Sequence, residues 1–170
     1  MAEYKIQGTT IEMGRALTGG EVDLIRNAVS DAAAVTLFEG FTPYVELPKV
    51  QNIGQFGLQQ NIITGSDIKT GRVFKASTTK DSGDTTIDFF SDTNNSVQQT
   101  LLTAAEDGGF RAFRVTFNDD SPSSPSSPTI NYFAGIVSGF NYMGGGVDDW
   151  LMAQSTIAIN TQIITVPRTE

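Results

Sequence analysis

The sequence predicts a mainly β fold, an antiparallel β-sandwich or barrel with one packed α-helix. Three observations carry this expectation. Short runs rich in Thr, Ile, Val and aromatic residues suit a pleated, half-buried surface, as in residues 85–90. Apolar residues alternate along 111–117, where Phe113, Val115 and Phe117 share one face with Arg111, and again along 151–159. Seventeen glycines, with frequent Ser and Thr, punctuate those runs. The helix is expected at about 96–107. The Ser96 hydroxyl and the Gln99 side chain form a potential capping box, with Val97, Leu101, Leu102, Ala104 and Ala105 on one stripe and Gly108 or Gly109 as the stop. A helix this short is not stable alone in water, so it must lie on the flanking strands.

Taken in order, residues 3–13 read as a strand or strand pair broken at Gly8. Thr18 and Glu21 offer a second capping box, with Val22, Ile25 and Val29 on a shared face of a helix over 21–31. Residues 44–50 are strand-like, and Pro48 marks an edge or a strand end because it cannot donate to a ladder. Residues 51–66 mix amides with apolar groups at Ile53, Phe56, Leu58, Ile62 and Ile63. Two readings stand: an irregular loop folded over the subunit's own core, or an extended loop or hairpin ordered against a neighbouring subunit. Residues 71–77 resume as a strand. Residues 119–129 are Pro/Ser-rich and predict an exposed connection without a core of its own. A strand over 130–140 follows, then a Gly144–Gly146 turn and the longest strand, over 150–164. Trp150 is expected in the core or an interface. No internal repeat is visible, and a single domain over 1–170 is expected.

The formal net charge is −8, with no histidine and no cysteine. Such a balance argues against a groove that grips phosphates, which needs Lys and Arg to release counterions. Disulfides and thiolate metal sites are excluded. The opening MAEYKIQG lacks the pattern of a secretory signal, and no apolar run reaches the ~18 residues of a membrane span. A soluble protein made in a cell's cytoplasm is expected.

Catalytic groups are missing. Without histidine there is no Ser–His or Cys–His pair and no imidazole ligand. The acid pairs Glu106–Asp107, Asp119–Asp120 and Asp148–Asp149 fall at turns or helix ends, where solvation accounts for them. Asp92, Asn94 and Ser96 mimic the start of a calcium loop, but Val97 stands where that loop needs glycine and Thr103 where it needs a bidentate Glu. Gly144–Gly146 lacks the Lys-Ser/Thr of a phosphate cradle. No enzyme, metal or cofactor is expected.

In the order GTTIEM, LPKVQNIG, KDSGDTTIDF, NNSVQQTLLTAAEDGGFRAFRVTF, YFAGIVSGF and VDDWLMAQSTIAI, the chain resembles the major tail tube proteins of long, non-contractile-tailed bacteriophages, mainly over residues 44–166. The family often closes its last strand with Thr–Gly, whereas Thr161 here precedes Gln162. Residues 18–40 match none of the family's elements and are expected to be surface decoration. The resemblance implies a structural virion protein, with the tail-tube fold shared by contractile-tail and type VI secretion tubes. It implies hexameric rings that stack into a tube, four strands per subunit lining a lumen through which viral DNA passes. The implied partners are copies of itself, the tape measure protein, DNA held without sequence preference, and tail terminator and tip proteins; the implied location is the virion tail. The stacking loop would comprise Gln51, Ile53, Phe56, Leu58, Gln60, Ile62 and Ile63. The lumen acids would come from Asp67, Asp81, Asp84, Asp88 and Asp92, repelling phosphates so that DNA slides. Other classes remain at this stage: a tail terminator or head–tail joining protein that stops at one ring, and a monomeric β-sandwich binding module, which would expose aromatics on one sheet face.

Overall fold

The computed structural model describes residues 7–119 and 127–169. In chain order the elements are β1 (Thr10–Leu17), α1 (Gly19–Arg26), α2 (Asp31–Glu39), β2 (Val45–Glu46), β3 (Val50–Ile53), β4 (Gln59–Ser66), β5 (Val73–Asp81), β6 (Asp84–Phe90), α3 (Ser96–Asp107), β7 (Phe110–Thr116), β8 (Ile130–Met143), β9 (Met152–Ile159) and β10 (Ile164–Val166). The fold is mainly β and antiparallel, as expected, but it carries three helices instead of one. The main sheet runs β2-β1-β7-β8-β9-β6-β3, with β10 also on β8; β4 and β5 form a separate hairpin. Most of the Pro/Ser-rich segment at 119–129 lies outside the described residues, as does the start of the 3–13 segment. Where the Pro/Ser segment closes, the Thr129 amide and hydroxyl both donate to the Asp119 carboxylate.

Alternation along β7 and β8 sends side chains into two cores. Phe113 faces Phe133 across the ladder and clusters with Val115, Val137, Ile87, Phe89 and Ile157, with Leu101 and Ala104 of α3 in the same core. The Phe113 and Phe133 rings stack at 5.5 Å. On the opposite face Ala112, Tyr132 and Ala134 lie under α1 and α2, whose Val22, Ile25, Ala34 and Phe38 are fully buried. Small residues at 112 and 134 admit the helices closely; the bulky pair at 113 and 133 fills the other side. Residues 18–40 therefore cover one of the two cores and are not surface decoration.

Local chemistry explains where the elements begin and end. Thr18 and Glu21 form the expected capping box, and Glu21 also pairs with Arg15. The helix it starts ends at Arg26, short of the expected 31. Ser30 then caps the Ala33 amide and opens α2, so the poor helix formers at 29–31 are a second start rather than a tail. For α3 the cap is Asn95, not Ser96: its Oδ1 accepts from the Val97 and Gln98 amides at 2.9 and 3.2 Å. The Gln99 amide donates to the Thr93 carbonyl instead. Gln98, buried, accepts from the Asp92 amide and donates to the Phe90 carbonyl, tying α3 to the end of β6. Gly108 stops the helix at φ 63°, the left-handed conformation that glycine takes without a Cβ penalty.

Pro48 and Lys49 form a turn that splits the expected 44–50 strand into β2 and β3. The expected 71–77 strand lies at Val73–Asp81. The longest strand is β8, not 150–164. β9 ends at Ile159 because the Thr161 hydroxyl takes the place of a backbone carbonyl, accepting from the Ala134 amide at 2.9 Å; β10 then resumes on β8.

Two outcomes follow. Phe38→Ala should lower unfolding free energy by about 3–5 kcal/mol in urea titration, whereas an appendage would leave the midpoint unmoved; Leu101→Asp, which buries an unpaired charge, should prevent folding. The Arg15 hydrogen bond, then the Thr18 amide, hold the Glu21 carboxyl down to about 2. Its contribution is present above the ordinary carboxylate range and is lost as pH falls toward 2. Glu21→Gln should therefore lower thermal stability at neutral pH and flatten the acid limb of the stability curve.

Candidate assembly surfaces

The hairpin of β4 and β5 takes its first strand from the 51–66 segment singled out for inter-subunit contact. Ladder partners Ile63 and Ala76, and Gly65 and Phe74, put one apolar face together, with the Phe74 ring lying against Gly65. The other face mixes Ile62, Val73 and Lys75. Every residue of β5 is exposed, as are Leu58, Gln60, Ile62 and Ile63. Among the described residues the two strands pair only with each other, and an isolated two-stranded hairpin is marginal in water.

Not all of the stacking-loop candidates stand on it. Gln51 and Ile53 belong to β3. Ile53 and Phe56 are half-buried and pack on the core beside Phe133 and Phe117. The segment therefore divides: 53–56 fold over the subunit's own interior, and from Leu58 onward it projects as an exposed hairpin. Gly54 sets the crossing, because its amide donates to the Thr86 carbonyl at 2.6 Å and a Cβ there would meet Thr86 Oγ1 at 2.7 Å.

A second surface is the outer face of β3, β6, β9 and the latter half of β8. Helices α1 and α2 cover this side of the sheet over β7 and the start of β8, then stop. Beyond them Asn52, Asp88, Gln154 and Asn141 stand in register across four strands, followed by Thr86, Thr156 and Asp84. Asp88 accepts from the Asn52 and Gln154 side-chain amides at 3.1 and 2.7 Å. These four strands contain no Lys or Arg.

The five acids named as lumen candidates do not share one face. Asp84 and Asp88 lie on the open face. Asp67 sits at the hairpin tip, held below the usual carboxylate range by the Thr70 hydroxyl and the Lys69 amide. Asp81 ends β5 and accepts from the Gly83 amide. Asp92 follows β6, depressed by its hydrogen bond with Lys49.

One feature had no reading in the sequence, and a second had only a partial one. Where 54–58 crosses the end of the sheet, a groove of about 1110 Å³ opens, lined by Phe56, Lys80, Asn131 and Gln162 among others. The buried Asn131 accepts from the Thr165 hydroxyl, and its Nδ2 has no hydrogen-bond partner among the described residues. At the far end of the sheet, the β8–β9 turn exposes Val147, Trp150 and Leu151. Trp150 is in neither core; it is 78% exposed and touches only the Phe90 ring among aromatics, at 5.6 Å. Among the described residues no group of three or more His, Cys, Asp or Glu side chains is placed to hold a metal ion.

No protein-family model matches the chain, and no curated protein matches it in sequence. Solved structures do. A chain from the sheath/tube terminator of an extracellular contractile injection system (PVC, extended state) superposes with a TM-score of 0.65 at 8% identity, covering 98% of both chains. One from the sheath–tube complex of the same system gives 0.64 at 8%, covering 97% of this chain and 92% of that one. The SPP1 tail tube gives 0.56 at 10%, covering 97% and 80%. The chain has the tail-tube fold.

Proposed function

We propose that this protein is a structural tail tube subunit that assembles into stacked hexameric rings around an acidic channel for viral DNA. The observation that carries this is the pairing of a tail-tube fold with a projecting hairpin whose apolar face has no cover in the single chain. Ile63 and Phe74 on that face are each about 60% exposed, as is Ile62 on the other, and a second subunit is the natural cover for such a patch. In this reading the open face of β3, β6, β9 and β8 lines the channel. Its hydroxyls, amides and the acids Asp84 and Asp88 present no cation to a passing phosphate, so DNA and a tape measure protein would slide instead of adhering. The channel acids would then be Asp84 and Asp88, with Asp67, Asp81 and Asp92 nearer to subunit contacts.

One second reading has a specific observation behind it. One similar structure is that of a sheath/tube terminator, and a protein that closes a tube would form one ring and stop. Negative-stain microscopy of the concentrated protein separates the two, since long tubes support the tube subunit and single rings the terminator.

Replacing residues 60–80 by Asn-Gly would join Gln59 to Asp81, which face each other in the ladder, through a two-residue turn. The variant should fold with an unchanged β-rich circular dichroism spectrum and fail to stack. In the unmodified chain, amides of β4 and β5 should exchange rapidly in the free subunit and become protected in assemblies; equal exchange in both states would remove the hairpin from the interface. Duplex DNA should show no retention on assembled tubes at physiological salt, and Asp84→Lys should introduce retention that salt reverses.

A further inference from the structure

The chain separates its charges by position. Lys69, Arg72, Lys75 and Lys80 stand against Asp67 and Asp81 in the hairpin segment 59–81, a formal +2 within a chain of −8, which leaves −10 on everything else. Four of the 11 basic residues are therefore on the hairpin, whose strands, among the described residues, pair only with each other.

The other exposed apolar cluster has the opposite charge. Val147, Trp150 and Leu151 surround Asp148 and Asp149 in the β8–β9 turn, and there is no Lys or Arg anywhere from 115 to 167. Asp149 is used within the turn, accepting from the Gly146 amide at 2.6 Å, while Asp148 has no such task among the hydrogen bonds of the turn. The two clusters also stand at opposite ends of the same strands. The hairpin feeds β6 at Asp84; the turn feeds β9 at Met152, which pairs with Phe90 at the other end of β6. Six residue steps of strand, ~20 Å, separate the two ends.

We infer that the basic, apolar hairpin of one copy docks on the acidic, apolar β8–β9 turn of another, head to tail along the strand direction. This rests on the tube-subunit reading and names the surface that receives the hairpin. A contact between different patches on identical chains is heterologous, so it propagates instead of closing on itself as a two-fold dimer would. Trp150 supplies the large amphipathic anchor typical of an interface centre. Lys69 and Arg72 meet Asp148, and the pairing fixes which end of a copy faces the next.

A charge-reversal cycle tests this with the full chain: Lys69→Glu/Arg72→Glu on the hairpin, Asp148→Lys on the turn, and all three together. The readout is the concentration at which assemblies appear in light scattering and negative stain, with circular dichroism confirming folded subunits. Each side alone should raise that concentration about tenfold or more, and the combination should recover most of the loss. A combination no better than its worse parent would overturn the hairpin-to-turn contact, while leaving the hairpin in assembly by some other surface. If the hairpin variant and the 60–80 replacement both assemble like the unmodified chain, the hairpin has no part in assembly. That result would overturn the inference and the reading beneath it together.

Discussion

Everything in this molecule hangs on one antiparallel pair that is buried on both faces. In most antiparallel sheets one face packs and the other meets water. Here the ladder of β7 and β8 has Phe113 stacked on Phe133 on one side and Ala112 beside Ala134 on the other. The aromatic side makes the core that α3 closes, and the small-residue side makes room for α1 and α2. Two cores share one pair of strands, so a change at either face is felt at both. The same arrangement explains why the remaining half-sheet can leave a face open: stability is already secured at β7 and β8, and β3, β6 and β9 need only their inner side.

That division also orders the polar groups. Arg114, on the helix-covered side of β7, is neutralised by Glu12 at 2.8 Å and lies 4.6 Å from the centre of the Tyr44 ring. Arg111, nearly buried, pairs with Asp107 at the end of α3. Cations that touch the sheet are thus spent on its closed half. The open half holds hydroxyls, amides and two carboxylates, cross-linked by hydrogen bonds such as those Asp88 accepts. A surface of this kind is wetted and rigid, and it offers nothing that binds a polyanion.

Much of the fold was legible because its strands follow the two-residue period. Alternation at 111–117 and 152–159 identified inward and outward residues, and the Thr18–Glu21 box was found by its spacing. The failures have physical causes. Residues 29–31 look like a fraying helix end because Ser and Asp compete with the helical backbone, yet the same property makes Ser30 a cap for the next helix. The 51–66 segment shows no clean period because a register shift between Gln60 and Ile62 changes which side chains share a face, and neither face packs on a core of its own. The lumen acids could not be sorted because Asp67, Asp81, Asp84 and Asp92 fall at a tip, two strand ends and the loop after β6, where alternation gives no facing. For Trp150 the sequence left core and interface open, and its exposure, which only the tertiary structure holds, removes the first.

The hairpin leaves the sheet from β3 and returns to it at β6, and these two strands are themselves hydrogen-bonded neighbours, Ile53 opposite Ile87. Topologically it is an ornament on a connection that a short link could make. Its length, charge and tip can drift, lengthen or be exchanged between lineages without disturbing the order of the main sheet. In the tube-subunit reading proposed above, the body would be the constant scaffold and the hairpin the key, the one insert whose change could alter which copies assemble together.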